Sequence, residues 1–456
     1  MYKSFHREII HGKCIDISSE GKGVVKEKGK IIFVSGLFLY EEADIEILYS
    51  RAGVYFGRVS KLYKSSPYRV QPKCLVCTAC GGCTYQQIAY SEQLKYKQNR
   101  VYNSLKRLGD IDTKVNETIG MDNPYNYRNK IQIPLGYDNK NHIISGFYRE
   151  RSHEIIPINE CAIEDKRASK IIKTIKELMP SFKMYPYDED RRTGLLRHIL
   201  IRTSYYKEEI MVVLVSSKQT WAGRSNFVKE LVLRCPEITT IVSNTNSRDT
   251  NVILGEKEEV LYGKGYIEDS LCGLVFQISS KSFYQTNPVQ TEKLYQIAIQ
   301  NGNFTKDDIV LDAYSGIGTI GLIVSKNVNK VYSVEIVKEA TKDAINNAKR
   351  NNINNVEFFN DDAGDFLVKS KSINRKIDVV IMDPPRNGSD NKFLSCLLEY
   401  SPRKIIYISC EPSTLARDLK QLKSKYMVSS VQPVDMFPMT PHVETVALLV
   451  HKDSKK

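Results

Sequence analysis

The chain has 456 residues, of which 41% are hydrophobic and 26% are charged. This composition is typical of a globular protein, and the length predicts roughly two to four domains. No apolar run is long enough for a transmembrane helix, and the first residues lack the features of a signal peptide, so we expect a cytoplasmic protein that does not bind membranes. The net charge of +13 suggests a polyanionic partner such as nucleic acid, although a generally basic surface would give the same value.

Short strands separated by glycines are predicted for residues 1–62. Apolar residues alternate in segments such as 31–34, and several such runs in so short a stretch indicate a small OB-like β-barrel. Basic and aromatic residues are interleaved along it: Lys26, Lys28, Lys61, Tyr63 and Lys64. Aromatic rings beside cations are suited to single-stranded RNA, whose bases stack while its phosphates pair with the charges. A solvated basic sheet surface is the alternative.

Four cysteines lie three residues apart in a loop-like segment: Cys74, Cys77, Cys80 and Cys83. Disulfides are not expected in a cytoplasmic chain, so the run predicts a metal or redox site. Four ligands of one cluster are sterically difficult to place on so short a run, and in ferredoxin runs of this type the fourth cysteine serves another cluster. A distant ligand is therefore favoured, and Cys161 is the nearest later candidate. The spacing leaves zinc and iron–sulfur equally open.

Residues 63–265, which include this run, combine helical and strand-like segments and predict a central α+β domain. Residues 91–108 form the clearest helix, with Ser91 as its cap and with Leu94, Val101 and Leu105 on one side. The segments NYRNKIQIPLG and LLRHILIRTSYYKEEIMVVLVS are predicted to be antiparallel strands.

Strand-like apolar runs alternate with helical segments over residues 266–456, which predicts βαβ units around a mostly parallel, Rossmann-like sheet. In VLDAYSGIGTIGL, a strand leads through a glycine turn into a helix, and Gly316 and Gly318 permit close approach of a ligand. Glu335 ends the next strand, where an acid can bind ribose hydroxyls. S-adenosylmethionine and NAD both satisfy this pattern, and a tight turn with a surface acid is the third interpretation.

Three further residues with reactive side chains lie near the ends of predicted strands. Asp383 in VVIMDPPRNG ends a strand at the edge where α/β sheets bind ligands. Cys410 in IIYISCEPSTLARDL lies between a strand and a helix, whose backbone dipoles can stabilise a thiolate. Glu444 in PHVETVALL precedes an apolar strand and is either a general base or a strand-edge acid. A structural turn around Asp383 and a buried core thiol at Cys410 are the alternatives.

These motifs together resemble the RNA uracil-5 methyltransferase family, and in particular its ribosomal RNA branch. The resemblance covers nearly the whole chain and rests on six motifs in order: CxxxxxCGGCxxQ, FYQTN, LDAYSGIGTIGL, DPPRNG, SCEPSTLARD and MFPMTPHVE. The N-terminal residues are similar to the TRAM RNA-binding barrel of this branch. The resemblance therefore implies a TRAM-like barrel at 1–62, a central domain with an iron–sulfur loop at 63–265, and a class I S-adenosylmethionine-dependent methyltransferase domain at 266–456.

The resemblance also implies roles for individual residues. Cys410 matches the nucleophile and Glu444 the base of the family. Six residues correspond to the S-adenosylmethionine pocket: Gln285, Tyr314, Thr319, Glu335, Asp362 and Asp383. Four correspond to the ligands of a [4Fe–4S] cluster, with Cys77 as an extra cysteine: Cys74, Cys80, Cys83 and Cys161. Thr319 and Asp362 stand where relatives can carry asparagine.

The implied reaction suits uracil, whose carbon 5 is a poor nucleophile. Attack of the Cys410 thiolate on carbon 6 gives an enolate with electron density on carbon 5, which then takes the methyl group. Glu444 removes the carbon 5 proton, and elimination of Cys410 restores the ring. The base must leave its stack at a cost of a few kcal/mol, roughly, which the basic barrel can offset by binding flanking RNA. No redox step is needed, so the cluster is expected to be structural or to contact RNA.

Three other interpretations stay open on the sequence. An iron–sulfur NAD-dependent oxidoreductase would use the glycine turn and the cysteine run, but leaves SCEPSTLARD and MFPMTPHVE unexplained. A non-enzymatic RNA-binding protein would have no use for a donor pocket with a placed cysteine and acid. Within the family, a transfer RNA enzyme is the close alternative, and because such relatives generally lack the barrel and the cluster, 23S ribosomal RNA is the expected substrate. A monomer is the default oligomeric state.

Overall fold

The computed structural model describes residues 3–4, 8–149, 152–249 and 252–455. Three seven-stranded sheets and one two-stranded hairpin are found in these residues. None of the helices in these ranges combines the length and the apolar character that crossing a bilayer requires. In chain order, the three large sheets occupy the regions in which the sequence predicts a barrel, an α+β unit and a nucleotide-binding sheet.

The N-terminal sheet is strongly curved. Its strands are β1 (Lys3–Ser4), β2 (Ile9–Lys13), β3 (Asp16–Ile17), β4 (Gly23–Glu27), β5 (Lys30–Ser35), β6 (Glu42–Arg51) and β7 (Val54–Lys64). They lie in the order β1-β6-β7-β5-β4-β3, and β2 also pairs with β6. A Cβ atom on Gly12 of β2 would lie 2.4 Å from Val25 Cγ1 of β4, so glycine permits the two strands to approach. Alternate residues such as Ile32 and Val34 are fully buried, consistent with the predicted barrel.

The central sheet packs against helices on one face and against the C-terminal region on the other. The elements of this region are α1 (Cys77–Cys80), α2 (Tyr90–Arg107), β8 (Lys130–Tyr137), β9 (Ile143–Tyr148), β10 (Ile155–Pro157), α3 (Lys166–Leu178), a 3-10 turn (Pro180–Phe182), β11 (Leu196–Thr203), β12 (Ile210–Ser216), α4 (Arg224–Arg234), β13 (Thr240–Thr245) and β14 (Lys257–Tyr262). The strand order is β10-β9-β8-β11-β12-β13-β14. The pairs β8–β11 and β11–β12 are antiparallel, as the sequence predicts.

Strand β12 is buried on both faces because its residues alternate between two cores. Val212 and Leu214 pack in the core that α3 and α4 complete. Met211 and Val213 pack in a core that they share with residues of the C-terminal sheet. The central and C-terminal sheets are therefore joined by one continuous hydrophobic interior.

The C-terminal region has the topology of a nucleotide-binding sheet. Its elements are β15 (Ile267–Leu271), β16 (Leu274–Ile278), α5 (Pro288–Gly302), β17 (Ile309–Ala313), α6 (Thr319–Ser325), β18 (Lys330–Glu335), α7 (Lys338–Arg350), β19 (Val356–Asn360), α8 (Ala363–Ser372), β20 (Val379–Met382), α9 (Asn391–Tyr400), β21 (Lys404–Ser409), α10 (Pro412–Leu422), β22 (Tyr426–Val434), β23 (Glu444–His451) and a 3-10 turn (Lys452–Lys455). The strand order is β19-β18-β17-β20-β21-β23-β22.

In this sheet β17 to β21 are parallel and β23 is antiparallel to both of its neighbours. The chain order reverses between β17 and β20, and open α/β sheets bind ligands in the crevice at such a switch point. The predicted Rossmann-like α/β fold is confirmed.

Helix α2 lies against the C-terminal region although it precedes the central sheet in the chain. Val101 and Leu105, which the periodicity places on one side, share a core with Leu415 and other residues of α10. The expectation that Ser91 caps this helix is wrong, because the helix already includes Tyr90 and therefore Ser91 lies inside its first turn. The residue before the helix makes no side-chain cap.

A buried ion pair joins α2 to segment 435–443, which precedes β23. Lys97 Nζ donates to the Asp435 carboxylate, and to the Phe437 carbonyl oxygen at 3.0 Å. The Tyr90 hydroxyl donates to the other Asp435 oxygen at 2.8 Å. Both charged side chains are completely buried. Burial lowers the pKa of Lys97, and Asp435 counteracts this effect. Each charge therefore depends on the other to offset its desolvation.

Replacing Lys97 with Met is expected to lower the free energy of unfolding by about 3–5 kcal/mol, because the Asp435 charge is left buried without a partner. Denaturant unfolding of the variant and the wild type measures this change. Lys106→Met is the matched control, since Lys106 lies on the same helix but pairs with the exposed Asp112 at the surface. Its stability should stay near that of the wild type. Equal stabilities of the two variants would contradict the role of the buried pair.

Candidate active site

The glycine turn connects β17 to α6 at the switch point. Asp312 is buried and accepts a hydrogen bond from the backbone nitrogen of Gly321 at 2.9 Å, which ties the strand to the helix. Tyr314 and Gly316 have positive φ angles of 63° and 57°. This left-handed path lets the backbone approach a ligand closely, and no atom lies within 4 Å of the Cβ position of Gly316. The turn therefore leaves open space at the end of β17.

Glu335 ends the neighbouring strand β18 and is oriented by this turn. One carboxylate oxygen accepts a hydrogen bond from the Gly316 nitrogen at 2.9 Å, and the other accepts one from the Val337 nitrogen at 2.8 Å. Two backbone donors thus hold the acid at the strand end, which is the position from which acids bind ribose hydroxyls in this class of sheet.

Three other predicted pocket residues lie at the ends of nearby strands and helices. Thr319 Oγ1 is 3.1 Å from the hydroxyl of Tyr295, and the Tyr314 hydroxyl is 2.7 Å from Ser389 Oγ. Asp362 caps α8, because its Oδ1 atom accepts hydrogen bonds from two backbone nitrogens of the first turn at 2.9 and 3.1 Å. One oxygen of Asp362 therefore already serves the fold.

Gln285 belongs to segment 279–287, which connects the β15–β16 hairpin to α5. Its carbonyl oxygen accepts a hydrogen bond from Asn129 Nδ2 of the central region at 3.0 Å. Asn287 caps α5 and donates from Nδ2 to the Met436 carbonyl oxygen at 3.1 Å. The segment therefore lies between the central sheet and the segment that precedes β23.

The three predicted reactive residues meet at one edge of the C-terminal sheet. Asp383 directly follows β20, and Cys410 directly follows β21. Glu444 begins β23, which runs antiparallel to β21 with Thr445 opposite Ser409. Because of this direction, the start of β23 lies beside the ends of β20 and β21. Glu444 is only 4% exposed.

The carboxyl groups of this crevice oppose one another's ionisation. Burial and the charge of Asp383 raise the pKa of Glu444, while Arg386 acts in the opposite direction. Burial raises the pKa of Asp383 as well. Burial, Asp383 and Glu335 together raise the pKa of Asp312 to about 8. Because repulsion among buried acids is relieved by positive charge, the crevice is suited to a cationic ligand.

The Cys410 thiol is protonated at neutral pH in the free protein. Burial, Glu444 and Asp383 raise its pKa to about 12, and Arg386 counteracts them. The thiolate is the nucleophilic form of cysteine. A ligand that neutralises the neighbouring acids would therefore favour the reactive form.

Asp418 holds the loop that follows Asp383, and the sequence patterns did not single it out. It is buried on α10 and accepts hydrogen bonds from the Ser389 nitrogen at 2.8 Å and from the Tyr407 hydroxyl at 2.7 Å. These bonds tie the DPPRNG loop to α10 and β21. The sequence signal that could have identified Asp418 is its place as the last residue of the SCEPSTLARD motif.

Arg100 of α2 connects the loop of Cys410 to the segment that leads to Glu444. Its Nη2 atom donates to both carboxylate oxygens of Glu411 at 2.9 Å each, and its Nη1 atom donates to the Pro441 carbonyl oxygen at 2.8 Å. Glu411 is the residue after Cys410. No local spacing reveals this contact, because 311 positions separate Arg100 from Glu411.

The cysteines of the predicted iron–sulfur region lie close together, and none of them forms a disulfide. Cys83 and Cys161 belong to one small core with Tyr127 and Met439. Burial raises the pKa of Cys83 to about 12, and the other three thiols of the run act in the same direction. Burial also raises the pKa of Cys161, to which Cys83 contributes. The fold thus brings the distant Cys161 to the cysteine run.

The chemistry of these donors fits an iron–sulfur cluster or zinc, since both require several thiols near one another. Nowhere in the described ranges do three or more His, Cys, Asp or Glu side chains form a group that can hold a metal ion. The prediction of a metal site is therefore not confirmed.

Comparison with known proteins identifies the family. A family model described as tRNA (Uracil-5-)-methyltransferase matches residues 89–452. The chain belongs to this family. Two curated relatives of this RNA methyltransferase, from Staphylococcus epidermidis and Clostridium tetani, are both named as uncharacterized RNA methyltransferases. The Staphylococcus epidermidis protein is 42% identical over 449 residues, which cover 98% of each chain. The Clostridium tetani protein is 41% identical over 441 residues, which cover 96% of each chain.

A solved structure supports the same assignment. The crystal structure of the Pyrococcus abyssi tRNA (uracil-54, C5)-methyltransferase in complex with S-adenosyl-L-homocysteine matches with a TM-score of 0.77 and 28% identity, over 97% of this chain and all of that chain. The chain is thus an S-adenosylmethionine-dependent RNA (uracil-5-)-methyltransferase. This result rules out the NAD-dependent oxidoreductase and the non-enzymatic RNA-binding protein.

The pKa of Cys410 can be tested by alkylation of this RNA methyltransferase. Glu444→Gln removes a neighbour that raises this pKa, so the Cys410 peptide should react with iodoacetamide several-fold faster than in the wild type at about pH 8. Arg386→Gln removes the opposing cation and should slow the reaction. Mass spectrometry follows each peptide, and Cys396 of α9, whose rate should not change, is the internal control. Equal Cys410 rates in all three proteins would contradict the electrostatic account.

Proposed function

We propose that this RNA methyltransferase converts a uridine of 23S ribosomal RNA into 5-methyluridine, with Cys410 as the nucleophile and Glu444 as the base. The observation that carries the proposal is the meeting of these two side chains with Asp383 in one buried crevice beside the glycine turn. S-adenosylmethionine is a sulfonium cation, which suits a pocket rich in acids. Six residues are proposed to bind it: Gln285, Tyr314, Thr319, Glu335, Asp362 and Asp383.

In the proposed reaction, the Cys410 thiol gives its proton to solvent and Sγ bonds to carbon 6 of the uracil, while the electron pair of the double bond between carbons 5 and 6 moves into an enolate with density on carbon 5. S-adenosylmethionine supplies the methyl group that carbon 5 takes up. The Glu444 carboxylate then removes the proton from carbon 5, and the bond between carbon 6 and Cys410 breaks as the ring double bond re-forms. A base whose pKa is raised toward neutrality is suited to this proton transfer.

The N-terminal sheet is proposed to bind RNA beside the crevice. Its turn at Gly21 contacts the segment that precedes Glu444, since the Cβ position of Gly21 lies 3.3 Å from Pro441 Cβ. Lys61 lies 4.7 Å from the ring centre of Tyr63, which is 54% exposed. Exposed rings with adjacent cations can stack on unpaired bases while the charges pair with phosphates. These contacts support RNA binding close to the target base.

Ribosomal RNA is proposed because the six sequence motifs together resemble the ribosomal RNA branch of the family. The Pyrococcus abyssi enzyme, which is named for transfer RNA, aligns with 97% of this chain, so the fold does not by itself distinguish the two substrates. Transfer RNA is therefore the second candidate. The proposal also includes a cytoplasmic location and a monomeric enzyme.

A [4Fe–4S] cluster is proposed at the four family positions: Cys74, Cys80, Cys83 and Cys161. The proximity of free thiols supports it, and the shared core with Met439 would let such a group brace segment 435–443. Iron and acid-labile sulfide, measured on anaerobically purified protein, test this proposal. Loss of both in Cys161→Ser with retention in Cys77→Ser would support the ligand set. Zinc without sulfide in the wild type would contradict it.

Methyl transfer from labelled S-adenosylmethionine tests the reaction and the substrate together. Unmodified 23S ribosomal RNA and transfer RNA are incubated in parallel with the enzyme, digested to nucleosides and analysed by mass spectrometry. 5-Methyluridine in the ribosomal sample alone would support the full proposal. Label in transfer RNA alone would support the chemistry and overturn the choice of substrate. Absence of label in both samples would count against the proposal as a whole.

Cys410→Ala is expected to abolish turnover and any covalent RNA adduct, because no bond to carbon 6 can form. Affinity for S-adenosylhomocysteine, measured by calorimetry, should stay close to that of the wild type. Cys396→Ala, at a partly buried cysteine of α9, should retain full activity. Full activity of Cys410→Ala would eliminate this residue as the nucleophile.

Glu444→Gln is expected to accumulate a covalent protein–RNA complex, because the proton at carbon 5 is no longer removed efficiently. Loss of a positioned base should slow release of product by roughly 100-fold or more. Denaturing gel electrophoresis detects the complex, and a time course measures its decay. Glu399→Gln, at an exposed glutamate of α9 paired with Lys371, serves as the control. Release at the wild-type rate from Glu444→Gln would exclude its role as the base.

A further inference from the structure

Two cations face each other in the central sheet. Lys130 on β8 and Arg202 on β11 are opposite residues of an antiparallel pair, so their side chains lie on the same face. Arg202 is only 3% exposed, and Lys130 is partly buried. Like charges directly opposite each other destabilise a sheet, and burial increases the cost. This arrangement therefore needs a compensating interaction.

The described part of the chain contains no acid that compensates this pair. Burial lowers the pKa of Lys130 to about 8, and the charges that act on it, those of Arg202 and Arg128, lower it further. Burial alone lowers the pKa of Arg202 to about 10. Arg202 Nη2 donates to the carbonyl oxygen of Ser282, but its Nε atom is buried without a hydrogen-bond partner. The two cations and the unpaired Nε–H donor of Arg202 therefore lie close together.

The pair lies against segment 279–287, which carries Gln285. Arg202 contacts this segment through Ser282, and Asn129, the neighbour of Lys130, contacts it through the Gln285 carbonyl oxygen at 3.0 Å. Phe283 lies between these two contacts and is 70% exposed, so the segment borders solvent. The cation pair therefore lies against the segment that carries Gln285, and Lys130, which is only partly buried, is the member of the pair that solvent can reach.

We propose that Lys130 and Arg202 form a binding site for an oxyanion of a bound substrate, namely a backbone phosphate of the RNA near the target uridine. This inference rests on the proposed function, which supplies the RNA. A phosphate provides both the negative charge and the acceptor that the pair lacks. The carboxylate of S-adenosylmethionine has the same chemistry. Phosphate is favoured because the pair belongs to the central sheet and not to the strands that carry the glycine turn.

Lys130→Gln tests the site because it removes one charge and leaves a polar side chain that is only one atom shorter. The free variant should melt at a higher temperature than the wild type, since repulsion by Arg202 is relieved. Its affinity for RNA should fall roughly tenfold, and the slope of log affinity against log salt should decrease by about one. Lys140→Gln, in the exposed turn between β8 and β9, is the matched control and should change neither quantity.

Binding measurements distinguish a phosphate of RNA from the carboxylate of S-adenosylmethionine as the bound oxyanion. Binding of unmodified 23S ribosomal RNA and transfer RNA is measured by filter retention, and binding of S-adenosylhomocysteine by calorimetry. Weaker RNA binding with unchanged S-adenosylhomocysteine binding supports the phosphate site, whereas the reverse result overturns it in favour of the carboxylate. Unchanged affinity for all ligands overturns the oxyanion site altogether.

A measurement with inorganic phosphate does not depend on the RNA substrate. Phosphate should raise the melting temperature of the wild type and of Lys140→Gln more than that of Lys130→Gln. An identical response in all three proteins contradicts the site. Failure of the wild type to methylate either RNA would instead count against the proposed function, whatever the phosphate response.

Discussion

Buried negative charge at one edge of the C-terminal sheet is the constraint on which the site depends. The parallel strands and the antiparallel β23 place Asp312, Asp383 and Glu444 in a region where burial raises the pKa of each carboxyl group. Unpaired acids in such a place are costly, so protons or a cationic ligand must offset them. Burial and two of these acids, Glu444 and Asp383, together keep the Cys410 thiol protonated in the free protein. A positive charge bound in the crevice would lower the pKa of this thiol through electrostatics.

The geometry of this crevice is maintained from outside the sheet by α2. Segment 435–443 has no regular secondary structure, and α2 holds both of its ends: Lys97 binds Asp435, and Arg100 binds the carbonyl group of Pro441. Because Arg100 also binds Glu411, one side chain connects the loop of Cys410 to the segment that ends at Glu444. The helix comes from a part of the chain that precedes the central sheet. Cys410 and Glu444 are therefore brought together only after distant parts of the chain have packed.

The side chains around the crevice differ in charge. The edge of the C-terminal sheet is acidic, whereas the neighbouring face of the central sheet carries Lys130 and Arg202. Strand β12 joins the central sheet to the C-terminal sheet, because its alternate residues, such as Met211 and Val212, pack in the two adjoining cores. The net charge of +13 favours association with RNA as a whole.

The sequence by itself determined the order of strands and helices, the α/β class and the reactive residues at the strand ends. These features depend on local periodicity and on short motifs, as the glycine turn at Gly316 and the strand before Cys410 illustrate. The start of α2 was predicted less accurately, since contacts of Tyr90 outside the helix contribute to its boundary. The tertiary structure alone decided the pairing of Lys97 with Asp435, 338 positions away, and the opposition of Lys130 and Arg202. Such contacts depend on how whole helices and sheets pack, and no local pattern in the chain encodes the distance between side chains so far apart in sequence.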